Sequence, residues 1–181
     1  KLNTSLSING LFQKSLQADS VCAEIYKNFG VTTSYSENEI TITKSTTVSK
    51  SELEYNFIEC PDIAQTVVCT NIGLQIPFTF TGLQTLKVKE TDRIVALKNE
   101  FAKFGIELVV SDNSIQWLVT KSLNNSNVSI ATYNDHRMAM SFATLSVLLD
   151  EVIIEDANVV SKSYPLFWEH LKCIGINQIS I

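Results

Sequence analysis

Three lysines, Lys14, Lys89 and Lys162, recur at intervals of 75 and 73 residues along this 181-residue chain, and no other feature restricts its fold as much. Each precedes a segment with helical apolar spacing, and the three segments run out at Gly30, Gly105 and Gly175. A glycine just past the last apolar residue stops a helix, because it enters the left-handed region without a Cβ clash. Strand-like sequence follows each stop. Residues 31–36 and 39–43 flank Glu37-Asn38, and 106–110 and 114–119 flank Asp112-Asn113, so both pairs read as hairpins, while 176–181 closes the last copy. In the second and third copies a helix and a strand come first, over 62–74 and 78–80 and over 135–149 and 152–155. The predicted architecture is therefore α/β, a pseudo-threefold repeat of βαβαββ units whose first repeat is incomplete. The polar stretches 44–51 and 121–127 read as connecting loops.

A net charge of −5 excludes general nucleic-acid binding, which needs a basic surface, so any anion must be held by a local cluster of cations. No apolar run approaches the roughly 20 residues of a membrane span. Cys22, Cys60, Cys69 and Cys173 are scattered along the chain and show no CxxC spacing. Cys22, Cys69 and Cys173 fall in apolar helical runs, which reads as buried free thiols in a reducing, cytoplasmic setting, with no metal or organic cofactor. The chain opens on Lys1-Leu2-Asn3 with neither an initiator Met nor a signal peptide, as expected of a fragment or processed piece.

The chemistry concentrates in Leu86-Lys87-Val88-Lys89-Glu90-Thr91-Asp92-Arg93, which leads into the amphipathic run from Ile94 through Phe101 and Phe104. A helix start attracts anions through its unpaired N–H groups and its dipole, and Lys89 and Arg93 would reinforce it, with Glu90 placed to exchange a proton. A plain solvated Glu90–Arg93 pair at i,i+3 satisfies the same spacing. Asp62 and Asp135 each open the first helix of a unit, where an N-cap role alone would explain them. If the units surround a pseudo-axis, one end collects Asp62, Lys89, Glu90, Arg93, Asp135, His136, Arg137 and Lys162.

Lys89-Glu90-Thr91-Asp92-Arg93 together with Tyr133-Asn134-Asp135-His136-Arg137-Met138-Ala139-Met140 closely resembles the 5-enolpyruvylshikimate-3-phosphate synthase (3-phosphoshikimate 1-carboxyvinyltransferase) family. Ser15-Leu16-Gln17-Ala18-Asp19, Cys60-Pro61-Asp62-Ile63-Ala64 and Ser161-Lys162-Ser163-Tyr164-Pro165 extend the resemblance over nearly the whole chain. The resemblance implies a two-domain enolpyruvyl transferase fold with the active site in the cleft, and residues 1–181 as a single C-terminal domain. The implied reaction transfers the enolpyruvyl group of phosphoenolpyruvate to the 5-hydroxyl of shikimate 3-phosphate, with phosphate released. Its implied catalytic residues are Asp62, Glu90 and Lys162. The implied substrate-binding residues are Asp62, Lys89, Arg93, Arg137 and Lys162, with Asp135 and His136 in support. Thr85 stands where many members carry an Asn that touches the shikimate substrate. The implied partners are the two substrates and the missing N-terminal domain, with no nucleic acid and no membrane. Alternatives are another enolpyruvyl transferase of the same fold, or a non-catalytic domain that binds an anion or a protein partner.

Overall fold

The computed structural model describes residues 4–44, 48, 51–119, 121–123 and 127–179. These divide into two compact units, Lys1–Leu53 and Glu54–Ile181. In the first unit, β1 (Thr4–Asn9), α1 (Cys22–Lys27), β2 (Val31–Tyr35) and β3 (Glu39–Lys44) follow in chain order. The three strands form an antiparallel sheet in the order β1-β3-β2. The Thr- and Ile-rich strands suit a half-buried pleated surface. Ser36 N–H donates to the Glu39 carbonyl, closing the expected hairpin around Glu37-Asn38. Ile25 and Phe29 from the helical segment and Ile40 from β3 are buried within it.

The second unit contains β4 (Leu53–Asn56), α2 (Ala64–Gly73), β5 (Phe78–Thr81), α3 (Arg93–Lys103), β6 (Val109–Val110) and β7 (Ile115–Trp117). β8 (Ser129–Ile130), α4 (His136–Ala143), β9 (Ile153–Ile154) and α5 (Phe167–Cys173) complete it. One sheet has the order β4-β5-β7-β6, and β8 pairs parallel with β9. The order β5-β7-β6 is that of β1-β3-β2 in the first unit. Phe57, Phe78, Phe80 and Trp117 pack an aromatic core, with Phe78 stacked on Phe80 and Phe57 edge-on to Phe80. α2 is buried on most of its circumference, as an apolar helix must be. Phe101 of α3 and Phe142 of α4 meet with ring centroids 4.8 Å apart, and Thr66 and Ser141 share a 3.0 Å hydrogen bond between α2 and α4. These contacts pack α2, α3 and α4 against one another within the unit.

The mixed α/β expectation is met, and several boundaries differ for local reasons. Residues 106–108 are not strand: Gly105 N–H donates to Ala102 O and Ile106 N–H to Phe101 O, so the chain is still satisfying helix-end carbonyls there. The same pair of bonds, Gly175 to Lys172 and Ile176 to Leu171, closes α5, and residues 176–179 form no strand. Residues 180–181 lie outside the described residues. The helix expected over 62–74 begins with a 3-10 turn at Pro61–Ile63, and the one over 135–149 passes into a 3-10 turn at Thr144–Val147. Thr144 and Ser146 hydroxyls donate to the Ser141 and Ala143 carbonyls there, competing with the regular ladder. Much of the connectors expected over 44–51 and 121–127 lies outside the described residues.

All four cysteines are free thiols; Cys69 is buried as expected, Cys22 is only partly buried, and Cys173 is exposed because α5 contributes no buried residue. Burial, with some help from Asp19, pushes the Cys22 thiol up to about 11, and burial raises Cys69 further, so both stay protonated at neutral pH. No helix among the described residues is long and apolar enough to cross a membrane.

Candidate anion-binding site

The site is built at three helix starts of the second unit. Pro61 opens the 3-10 turn before α2, a position where its missing N–H costs nothing. Asp92 caps α3 by accepting from Val95 N–H at 3.1 Å, which makes Arg93 the first helical residue. Asp135 caps α4 by accepting from Arg137 N–H at 2.8 Å. A cap of this kind is worth about 1 kcal/mol. Asp62 caps neither element: Cys60 precedes the 3-10 turn and Ile63 precedes α2, neither with a side-chain capping bond, and the Asp62 carboxylate turns to the cations instead.

Arg93, only 2% exposed, is the centre of the arrangement. Its Nε donates to Asp135 Oδ2 at 2.5 Å and its Nη2 to Asp135 Oδ1 at 3.3 Å, a side-on fork onto a carboxylate that is itself 0% exposed. Nη1 donates to Asp62 Oδ1 at 2.8 Å and Nη2 to Glu90 Oε2 at 2.7 Å. Four of the five guanidinium N–H groups are thus engaged by three carboxylates, leaving one on Nη1. The Glu90–Arg93 pair seen in the sequence exists, with Glu90 as the exposed edge of a network whose centre, Arg93 and Asp135, is buried. A lysine could not replace Arg93, since a single ammonium cannot span three separate acceptors with fixed fork geometry.

Around Asp62 the cations converge. Lys89 Nζ lies 3.1 Å from Oδ1, and Arg137 Nη2 lies 3.8 Å from Oδ2. Arg137 Nη1 also donates to the Asp62 carbonyl at 2.8 Å. Burial works to raise the Asp62 pKa. The hydrogen bond from Lys89 and the charges of Arg137, Lys89 and Arg93 outweigh it, so the pKa falls below the ordinary 3.8. A carboxyl with a depressed folded pKa stabilises the fold fully above its unfolded value and loses that contribution as pH falls through the folded value. A carbon-detected titration of Asp62 is therefore expected to give a midpoint below 3.8, with the associated stability lost only in that acid range. A midpoint above 3.8 would mean that burial dominates.

The structure brings together Asp62, Lys89, Glu90, Arg93, Asp135 and Arg137. His136 is the first residue of α4 and half-buried beside them in sequence. Lys162 ends a 3-10 turn, Ala157–Lys162, whose Val159 and Val160 pack with Ala139 of α4. Its side chain is exposed, and among the described residues it makes no hydrogen bond or ion pair with the network.

Sequence reasoning missed Glu100. This carboxylate is 1% exposed and accepts from Tyr133 Oη at 2.7 Å, from Ala131 N–H at 3.0 Å and from Lys103 Nζ at 2.5 Å. A signal was present: Glu100 is seven residues after Arg93, two helical turns on, and so lies on the same face of α3. Tyr133 and Asn134 were singled out only as part of a motif, yet both are left-handed, with φ of 55° and 57°.

No metal-binding group of three or more His, Cys, Asp or Glu occurs among the described residues. Residues 2–171 match the family model described as EPSP synthase (3-phosphoshikimate 1-carboxyvinyltransferase). A Bacteroides fragilis protein named 3-phosphoshikimate 1-carboxyvinyltransferase is 43% identical over 171 residues, covering 94% of this chain and 42% of the relative. A Methanospirillum hungatei protein of the same name is 34% identical over 175 residues, covering 97% of the chain and 40% of the relative. The chain therefore spans about two fifths of these curated relatives. Among solved structures, EPSP synthase from Acinetobacter baumannii superposes with a TM-score of 0.77 at 20% identity, covering 99% of this chain and 44% of that one, a likeness of fold.

Proposed function

Because this chain belongs to the EPSP synthase family, we propose that it supplies one side of an active site that transfers the enolpyruvyl group of phosphoenolpyruvate to the 5-hydroxyl of shikimate 3-phosphate. In this reading the 181 residues form part of a C-terminal domain built from three βαβαββ units, the first incomplete. The shared order of β1-β3-β2 and β5-β7-β6 supports it. The other partner is the N-terminal domain of the same enzyme, which contributes the opposite wall of a cleft. A cytoplasmic location fits the free thiols.

One observation carries the reading: three cations and three carboxylates from three helix starts meet around Asp62 and Arg93. Phosphoenolpyruvate carries a phosphate and a carboxylate, and fixed planar guanidinium groups suit both. Arg93, Arg137 and Lys162 hold it, and Lys89 contacts the shikimate phosphate substrate. Because Arg93 is nearly saturated by its own carboxylates, the ligand meets its remaining Nη1–H, or takes the place of Glu90.

In the addition step Asp62 accepts the proton of the 5-hydroxyl as that oxygen bonds to C2 of phosphoenolpyruvate, while Glu90 gives a proton to C3. In the elimination step Glu90 takes a proton back from C3 as the bond from C2 to the phosphate oxygen breaks. The departing phosphate receives its proton from Lys162, so protons balance over the cycle once Lys162 is recharged by the proton held on Asp62. Asp62 must be ionised to act as a base, and the cations around it hold its pKa below the ordinary value despite its burial.

Catalysis of this kind depends on groups closing in from both walls. The isolated chain is therefore expected to release no detectable phosphate from the two substrates, and the longer protein to release it readily. Appreciable turnover by the isolated chain, or none by the longer protein, would contradict the proposal. A different enolpyruvyl acceptor would be indicated if the longer protein released phosphate only with a sugar nucleotide in place of shikimate 3-phosphate.

A further inference from the structure

We infer that Glu100 is a positioning residue of the cluster: it holds the left-handed turn at Tyr133-Asn134 so that Asp135 is presented to Arg93 and Arg137. As a statement about an anion site it rests on the reading proposed above.

The segment between β8 and α4 makes two consecutive left-handed residues, and neither is glycine. Asparagine adopts that conformation with little penalty, but for tyrosine it costs on the order of 1 kcal/mol. Such a turn persists only where its surroundings over-determine it. α3 supplies two grips on one face. At residue 93 the guanidinium holds Asp135, the residue after the turn. At residue 100, about 10 Å along the helix axis by its rise per residue, the carboxylate holds Ala131 N–H and the Tyr133 hydroxyl. The turn is thus tied on both sides to one rigid element.

Asp135 N–H donating to Thr132 O at 2.9 Å closes the turn itself. The consequence passes outward through Asp135, which caps α4 at Arg137 N–H, and Arg137 reaches the carbonyl and carboxylate of Asp62. Glu100 touches neither Arg93 nor Asp62, so it acts through the turn. Lys103 balances its charge, and the Ser129 carbonyl accepts from the same ammonium at 2.8 Å, tying the end of β8 to the arrangement. Burial, together with the Glu100 hydrogen bond and charge, raises the Tyr133 pKa, which keeps that hydroxyl a donor at neutral pH.

The test is hydrogen exchange by NMR on this chain, comparing Glu100→Ala with Glu100→Gln. Gln can keep its carbonyl oxygen on Ala131 N–H and donate its amide to the Tyr133 hydroxyl, so it should preserve the grip. In Glu100→Ala the Arg93 Nε–H and the Arg137 amide are expected to exchange roughly tenfold faster relative to the buried Val67 and Val68 amides of α2. In Glu100→Gln the same ratio should stay within about threefold of the unaltered chain. The inference is overturned if the ratio is unchanged in Glu100→Ala, if all four signals accelerate together, or if Gln behaves as Ala does. Should Glu100→Ala fail to fold, Tyr133→Phe removes only the hydroxyl and is expected to raise the ratio a few-fold; no rise there overturns the inference equally. Exchange is read without ligand. A chain that shows this coupling yet ignores inorganic phosphate would count against the proposed function and in favour of the positioning role.

Discussion

Arg93→Ala is expected to destabilise the second unit by about 3–5 kcal/mol, the cost of leaving a buried carboxylate without its partner. Asp135 is 0% exposed and has two bonds from that guanidinium, so water cannot take over. Asp62 and Glu90 would meanwhile face each other without the cation between them. Both tryptophans, Trp117 and Trp168, lie in this unit, so fluorescence during urea unfolding reports on it directly. Arg93→Lys should recover less than half of the loss, because one ammonium cannot form the fork to Asp135 and also reach the other two carboxylates. A loss below about 1 kcal/mol for the alanine variant would show the network to be a surface pair in effect.

Glu90→Gln is expected to separate chemistry from stability in the opposite way. Glu90 is exposed and touches the network through a single bond to Arg93, so its neutral isostere should shift stability by no more than about 0.5 kcal/mol. In the longer protein, the loss of a group that gives and takes a proton at C3 should lower kcat by roughly 10²–10⁴-fold. KM for phosphoenolpyruvate should change little, since Arg137 and Lys162 remain. Unaltered kcat would remove Glu90 from the proton path. A collapse of stability would make it a structural member of the network instead.

The relation between sequence and structure is uneven in an instructive way. Helix stops at Gly30, Gly105 and Gly175 could be read directly, because positive φ (75°, 73° and 93°) is a local demand that glycine meets cheaply. The hairpin at Glu37-Asn38 was legible for the same local reason. The strand after Gly105 was read too long, since Ile106 N–H is spent on the carbonyl of Phe101 and the ladder to β7 starts only at Val109. Nothing in apolar alternation separates those two uses of a backbone N–H.

For the site, the motifs containing Glu90, Arg93, Asp135 and Arg137 could be picked out by their charge density, and Asp62 by its place after Pro61. That Arg93 would be buried with three carboxylate partners could not, because burial depends on how α2, α3 and α4 are packed. Asp62 shows the limit well. A cap role was sufficient to explain it locally, and only the tertiary proximity of Lys89, Arg93 and Arg137 turns its carboxylate away from the helix. Glu100 was hidden for a related reason. Its helix-face relation to Arg93 was visible, but the segment it grips lies 31 to 33 residues away and bends through a turn that no local signal demands.

The most direct measurement is a titration of the labelled chain with phosphoenolpyruvate, following the side-chain signals of Lys89, Arg93, Arg137 and Lys162. A saturable shift at millimolar ligand, stronger at these four than at the surface lysine Lys27, is the expected result. Signals that stay fixed up to about 20 mM, or that move no more than Lys27 does, would mean that the gathered cations serve only the carboxylates already beside them.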